Sequence, residues 1–85
     1  MHVVAVSTIS DSERFWGSLK RAYDQLPEGA RWILAVGSAD GTRAVNVFVH
    51  DSVRGVSGFF EAYADPFGTT EYFEADAANA VGLPE

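Results

Sequence analysis

The chain opens with a short apolar run and continues into a stretch with helical periodicity. Residues 3–6 are mostly β-branched, which predicts a first strand. Apolar side chains then recur at steps of three and four residues, as on one buried helix stripe: Phe15, Trp16, Leu19, Tyr23 and Leu26. Ser10 and Glu13 have the spacing of a capping box, and Pro27 and Gly29 stop the pattern. A helix is therefore expected between them.

Two further apolar runs flank an Asp-Gly pair. Residues 31–37 and 43–50 read as strands, and Asp40-Gly41 between them is a strong signal for a tight hairpin. A second helix follows, which Asp51 or Ser52 can cap. Its apolar stripe is Val53, Val56, Phe59, Phe60 and Tyr63. The third strand is thus expected to lead almost directly into this helix.

The end of the chain completes a familiar order. Residues 69–75 read as a last strand, and residues 77–85 as a C-terminal tail with one helical turn. The order strand, helix, strand, strand, helix, strand predicts an α+β fold of ferredoxin-like type, with a four-stranded antiparallel sheet and two helices on one face. At this length we expect residues 1–85 to form a single domain.

The hairpin predicts which residues share a sheet face. A two-residue turn at Asp40-Gly41 places residue 36 opposite 45, 34 opposite 47 and 32 opposite 49. The face expected beneath the helices is Trp32, Leu34, Val36, Val45, Val47 and Val49. The other face is Ile33, Ala35, Ala44, Asn46 and Phe48, with Arg31 opposite His50. This second face is too apolar for water, so we expect it to form an interface or a ligand groove.

The last strand extends this assignment. Phe73 and Ala75 alternate with Tyr72, Glu74 and Asp76, so we expect the first two to lie with the helices and the polar three on the other face.

The order of elements and the two-sided strands resemble the dimeric α/β-barrel superfamily, whose subunits pack bare sheet faces together, often around a cavity. The closing segment, residues 71–84, also looks like the ending of small uncharacterised bacterial proteins of this kind. The resemblance implies a sheet-to-sheet homodimer. It implies no particular activity, because the superfamily includes cofactor-free monooxygenases, haem-degrading enzymes, chlorite dismutase-like proteins and small nickel-binding proteins.

Charge and composition narrow the partners. The net charge is −6 with only six Lys and Arg, which argues against nucleic acid and against an anionic membrane. The absence of cysteine excludes disulfides and thiolate metal sites. The chain carries no signal-peptide pattern and no apolar run near the roughly 20 residues of a membrane span, so we expect a cytoplasmic protein.

The expected function is a structural or small-molecule-binding module. A small hydrophobic or aromatic ligand would occupy the bare sheet face, without a cofactor. The predicted lining is Ile33, Asn46, Phe48, Tyr72 and Glu74. A first alternative is a cofactor-free monooxygenase or isomerase, in which Asn46 orients a carbonyl, His50 acts as a general base and Tyr72 is a further polar group. Whether the protein is an enzyme is left open.

A second alternative is a nickel-type metal-binding protein that uses His2, His50 and nearby carboxylates. A histidine at a strand end more commonly bonds to the backbone or to a carboxylate, so no metal site is predicted. Trp16 and Trp32 could line an aromatic pocket, although their amphipathic positions favour the core.

Overall fold

The elements follow one another in the predicted order. The computed structural model describes residues 1–83, so Pro84 and Glu85, the end of the predicted tail, lie outside the described residues. The strands are β1 (His2–Ile9), β2 (Arg31–Gly37), β3 (Arg43–Val49) and β4 (Gly68–Glu74). The helices are α1 (Ser12–Tyr23) and α2 (Val53–Ala64). A 3-10 turn follows α2 at Asp65–Phe67, and another, at Ala77–Asn79, is the helical turn predicted in the tail.

The four strands form one antiparallel sheet in the order β2-β3-β1-β4, with β1 and β3 in the centre. Both helices contribute to one core, in which Phe15 from α1 and Phe60 from α2 pack with Val3 and Phe48 of the sheet. The molecule measures 34 × 27 × 17 Å. Its smallest dimension holds one sheet and one helix layer. The ferredoxin-like α+β fold is therefore confirmed, and one sheet face is left without a helix layer.

Polar side chains begin both helices. Asp11 caps α1, because its Oδ1 accepts a hydrogen bond from the backbone N–H of Arg14 at 3.1 Å. The capping box predicted at Ser10 was therefore wrong by one residue. Ser52 caps α2 by accepting from the N–H of Gly55 at 2.9 Å, as predicted.

No helix within residues 1–83 is long and apolar enough to cross a membrane.

The hairpin keeps the predicted register close to its loop but not farther along. Val36 lies opposite Val45 and Leu34 opposite Val47, as predicted. The connection is longer than a two-residue turn and spans residues 38–42, with Gly41 at a φ of +79°. A β-bulge between Trp32 and Leu34 then shifts the pairing by one residue.

Beyond the bulge, two predicted pairs were wrong. Trp32 lies opposite Phe48 rather than Val49, and Arg31 lies opposite Val49 rather than His50. Side chains alternate along a strand, so the extra residue brings the Trp32 side chain to the helix side of the sheet.

Trp32 lies on the helix side of the sheet, as predicted, but the two faces of the hairpin are otherwise the reverse of the prediction. Ala44, Asn46 and Phe48 are buried beneath the helices, whereas Leu34 and Val36 are exposed on the opposite face. The physical reason is size. Small side chains on the helix side of the sheet leave room for the large rings that the helices supply; these small residues are Ala5, Ser7 and Ala44, and the rings are Phe15 and Phe60.

Strand β4 is reversed in the same way. Tyr72 lies opposite Ala5 on the helix side, with its ring centroid 6.2 Å from that of Phe60. Phe73 lies opposite Val4 on the other face and is 51% exposed. The predicted placement of Phe73 with the helices and of Tyr72 on the bare face was therefore wrong.

Candidate functional site

The three catalytic candidates each carry a buried polar atom that has no hydrogen-bond partner within residues 1–83. These atoms are Asn46 Nδ2, His50 Nδ1 and the Tyr72 hydroxyl. They do not form one cluster. Asn46 and Tyr72 lie in the same row across the sheet with Ala5 between them, which separates their backbones by two strand spacings, or about 10 Å. His50 lies beyond the end of β3.

Asn46 is fully buried and holds a tryptophan. Its Oδ1 accepts a hydrogen bond from the Trp32 indole Nε1 at 3.0 Å. The bulge in β2 makes this bond possible, because it brings the Trp32 side chain to the helix side of the sheet. The observed role of Asn46 is therefore to fix the position of Trp32.

His50 packs against the first turn of α2. A Cβ atom added at Gly55 would lie 2.6 Å from His50 Nε2, so the imidazole occupies the space that a side chain at Gly55 would need. The backbone N–H of His50 donates to the carbonyl of Met1 at 3.0 Å. These contacts tie the start of β1 and the start of α2 to the end of β3.

Tyr72 is held in its neutral form. Burial raises the pKa of its hydroxyl, and the negative charges of Glu61 and Asp65 raise it further. At neutral pH the group therefore keeps its proton and can donate a hydrogen bond, but it cannot act as a base.

The predicted ligand-lining residues do not surround one cavity on the bare face. Asn46 and Phe48 are fully buried in the core, and Tyr72 lies beneath α2. Ile33 is at the bulge of β2, and Glu74 is exposed at the end of β4. The predicted placement of these residues on the bare face was therefore wrong, because it depended on the reversed faces. Their role in binding a ligand stays a prediction.

Some of the residues considered as metal ligands lie close together, but His50 is not among them. His2, Glu74 and Asp76 help to line a cavity of about 380 Å³ at one end of the sheet. The Asp76 carboxylate already accepts from Asn79 Nδ2 at 2.6 Å and from the N–H of Ala78 at 2.9 Å, and these bonds lower its pKa. In the described part of the chain, no group of three or more His, Asp or Glu residues is placed to hold a metal ion.

The sheet face without helices, called here the open face, is apolar in its centre. Its apolar residues are Val4, Val6, Leu34, Val36, Val45, Val47, Val49 and Phe73. Leu34 is 40% exposed and Val36 is 50% exposed, although Val47 in the centre is shielded by its neighbours. Charged residues stand at the margin; they are Arg31, Arg43 and Glu71. An apolar centre with a polar rim is the usual anatomy of a protein interface.

A second apolar surface lies between α1 and the edge strand β2. It is an open groove of about 360 Å³, called here the aromatic groove. Its lining residues are Trp16, Leu19, Lys20, Tyr23, Trp32, Ile33, Leu34 and Ala35. The sequence pattern assigned Trp16 and Tyr23 to the core stripe of α1, yet Tyr23 is 60% exposed.

The signal that could have revealed the groove is the spacing of Trp16, Lys20 and Tyr23. Steps of four and three residues place all three on one side of a helix, so a cation stands between two aromatic side chains.

Comparison with known protein families, with curated proteins and with solved structures finds no match to this chain.

Proposed function

We propose that this protein is a homodimeric module of the dimeric α/β-barrel type, in which the open faces of two subunits pack against each other. The observation that supports the proposal is the apolar centre of the open face. Val36 and Phe73 stand on opposite edge strands and are each about half exposed, so apolar side chains reach across the whole width of the sheet.

The size of the open face is compatible with a stable interface. Four strands at a spacing of about 4.8 Å and seven residues at about 3.3 Å each give a flat area of about 450 Å². A standard interface buries about 800 Å² of accessible surface per partner, which is the same order once the relief of the side chains is included. Monomers rarely leave an apolar patch of more than a few hundred Å² in contact with water.

A second copy of the chain is the partner that fits this face best. The face has no strong excess of one charge, since Arg31 and Arg43 are offset by Glu71 at its margin. Two-fold pairing would bury valines against valines. Small domains also gain stability from oligomerisation, because a short chain buries a limited share of its surface.

The other expectations from the sequence stay predictions. These are a cofactor-free monooxygenase or isomerase, a nickel-type metal-binding protein, a bacterial origin and a cytoplasmic location. The separation of Asn46, His50 and Tyr72 supports neither an enzyme nor a shared substrate site at these residues. The proposed role is therefore that of a structural module.

The molar mass in solution tests the proposal. We expect light scattering after gel filtration to give twice the chain mass for the native protein. Val36→Lys and Phe73→Lys each place a charge on an edge strand within the apolar surface of the pairing and should shift the mass to that of one chain. Ala62→Lys, on the exposed side of α2, is the matched control and should leave the dimer intact.

Circular dichroism of the same samples checks that the variants keep their helices. A native protein that is monomeric at all concentrations would overturn the proposal. So would a dimer that persists in both Val36→Lys and Phe73→Lys.

A further inference from the structure

The aromatic groove has one rigid wall. Trp32 is fixed by its hydrogen bond to Asn46. Its ring centroid lies 4.8 Å from that of Phe48 and 6.1 Å from that of Phe60. A side chain held from several directions loses little freedom when a ligand binds against it, which favours affinity.

The opposite end of the groove is also aromatic. Trp16 lies over Gly37, where an added Cβ atom would come within 2.9 Å of the indole ring, so the absence of a side chain at Gly37 gives Trp16 its position. At the Trp32 end of the groove, the ring centroid of Tyr23 lies 6.0 Å from that of Trp32. Trp16 and Tyr23 are seven residues apart on α1, a span of about 10 Å that suits a ligand of two fused rings.

A single cation stands between these rings. Lys20 is the one charged residue among those that line the groove, and it has no acidic partner in the described part of the chain. The chain as a whole has 12 Asp and Glu against six Lys and Arg. An unpaired ammonium group beside apolar side chains therefore favours an anionic ligand in this groove, since a carboxylate can form a charge-assisted hydrogen bond with the ammonium.

From these three observations we infer that the aromatic groove binds a planar aromatic carboxylate. The rings of the ligand lie against Trp16, Tyr23 and Trp32, and its carboxylate contacts the Lys20 ammonium. The volume of the groove, about 360 Å³, falls in the range of small-molecule sites. The groove shares Leu34 with the open face, but the inference does not depend on dimerisation, because Trp16, Lys20 and Tyr23 are on α1 and Trp32 lies on the helix side of the sheet.

Titration with 2-naphthoate tests the inference. We expect saturable quenching of tryptophan fluorescence and a matching heat signal in calorimetry. The uncharged amide of the same ring, 2-naphthamide, should bind more weakly. Decanoate, an anion without a ring, should also bind more weakly, because it cannot stack on the aromatic walls.

Substitutions separate the two parts of the site. Lys20→Gln should weaken 2-naphthoate binding by about 5- to 10-fold and leave 2-naphthamide unchanged, since only the ion contact is lost. Tyr23→Ala should weaken both ligands. Arg54→Gln removes an exposed cation from α2, away from the groove, and is the matched control.

Three results would overturn the inference: no binding of 2-naphthoate at millimolar concentration, unchanged affinity in Lys20→Gln, or decanoate binding as tight as that of 2-naphthoate. The Phe73→Lys variant separates the test of ligand binding from the test of dimerisation. Phe73 lies on the edge strand opposite β2, so the variant should bind 2-naphthoate with native affinity even where it is monomeric.

Discussion

Asn46 connects the interior of the protein to one of its surfaces. The residue is fully buried, yet its side-chain oxygen accepts the hydrogen bond that holds Trp32, which forms the rigid wall of the aromatic groove. The sequence already showed Asn46 as an anomaly, because an amide among apolar side chains has to find a partner. Its partner could not be predicted, since Trp32 reaches it only through the bulge in β2.

The first prediction concerns this bond. Asn46→Ala should lower the free energy of unfolding by about 1–3 kcal/mol, because the part-buried indole N–H of Trp32 loses its acceptor. In a Trp32→Phe background the same substitution should cost less, because there is no N–H to satisfy. Denaturant unfolding of the four proteins measures the difference. Equal costs in both backgrounds would mean that the bond does not contribute to stability.

Asp40 organises the hairpin loop. Its Oδ1 accepts from the hydroxyls of Thr42 and Ser38, each at 2.7 Å, and from the N–H of Thr42 at 3.0 Å. These hydrogen bonds, led by that of the Thr42 hydroxyl, lower the pKa of Asp40 from the ordinary 3.8 to about 2. The charged carboxylate is therefore the form that stabilises the loop.

The second prediction follows from this pKa. A carboxyl group whose pKa is lower in the folded state stabilises the protein above the unfolded value, and this contribution is lost as the pH falls through the folded value. The stability advantage of the native protein over Asp40→Ala should thus be constant above about pH 4 and shrink between about pH 4 and pH 2. Unfolding measured at several pH values tests this, and an advantage independent of pH would contradict it.

At the scale of elements, helix α2 contains glycines in two different surroundings. Gly55 faces the His50 ring, with Ser52 Oγ 3.0 Å from the position of an added Cβ atom. Gly58, one turn farther along the same helix, has open space around it. Alanine favours a helix over glycine by roughly 1 kcal/mol, so the two positions separate helix propensity from packing.

The third prediction uses this pair. Gly58→Ala should raise the free energy of unfolding by about 0.5–1 kcal/mol. Gly55→Ala should lower it, because the new methyl group collides with the imidazole. In a His50→Ala background most of that loss should disappear. Thermal or denaturant unfolding gives the values, and a stabilising Gly55→Ala in the native background would show that the ring moves aside at little cost.

The elements themselves could largely be predicted from the sequence. The bounds of β2, the cap at Ser52 and the pairing of Val36 with Val45 all follow from local patterns. The assignment of the faces could not be predicted in the same way. Both faces of the hairpin are apolar, so the choice depends on how large the helix side chains are and how much room the sheet leaves for them.

The candidate site, too, could be predicted in its residue types but not in its spatial arrangement. The unusual residues, Asn46, His50 and Tyr72, were recognised by type, but their neighbours depend on the faces and on the bulge. The aromatic groove was predicted only in part. Trp16 and Trp32 were considered as the lining of an aromatic pocket, but the core was preferred for them, and Tyr23 was assigned to the core stripe of α1. The packing of α1 over the edge of the sheet leaves Tyr23 exposed and Trp16 only partly buried.

At the scale of the whole molecule, the proposed pairing makes thermal stability depend on concentration. The fourth prediction is that the Tm of the native protein rises with protein concentration, because the unfolding of a dimer releases two chains. The Tm of Val36→Lys should not change over the same range. Differential scanning calorimetry over a 100-fold dilution series measures both. A native Tm independent of concentration would contradict the pairing.

The bulge in β2 also bears on how large an assembly can become. Strand β2 is an edge of the sheet, and a straight edge offers a continuous row of main-chain groups to which further strands can add without limit. The extra residue between Trp32 and Leu34 breaks the regularity of that row. Contact through a two-fold axis, in contrast, is complete after two chains. The same residue that turns Trp32 inward therefore discourages growth into fibres and favours a finite particle.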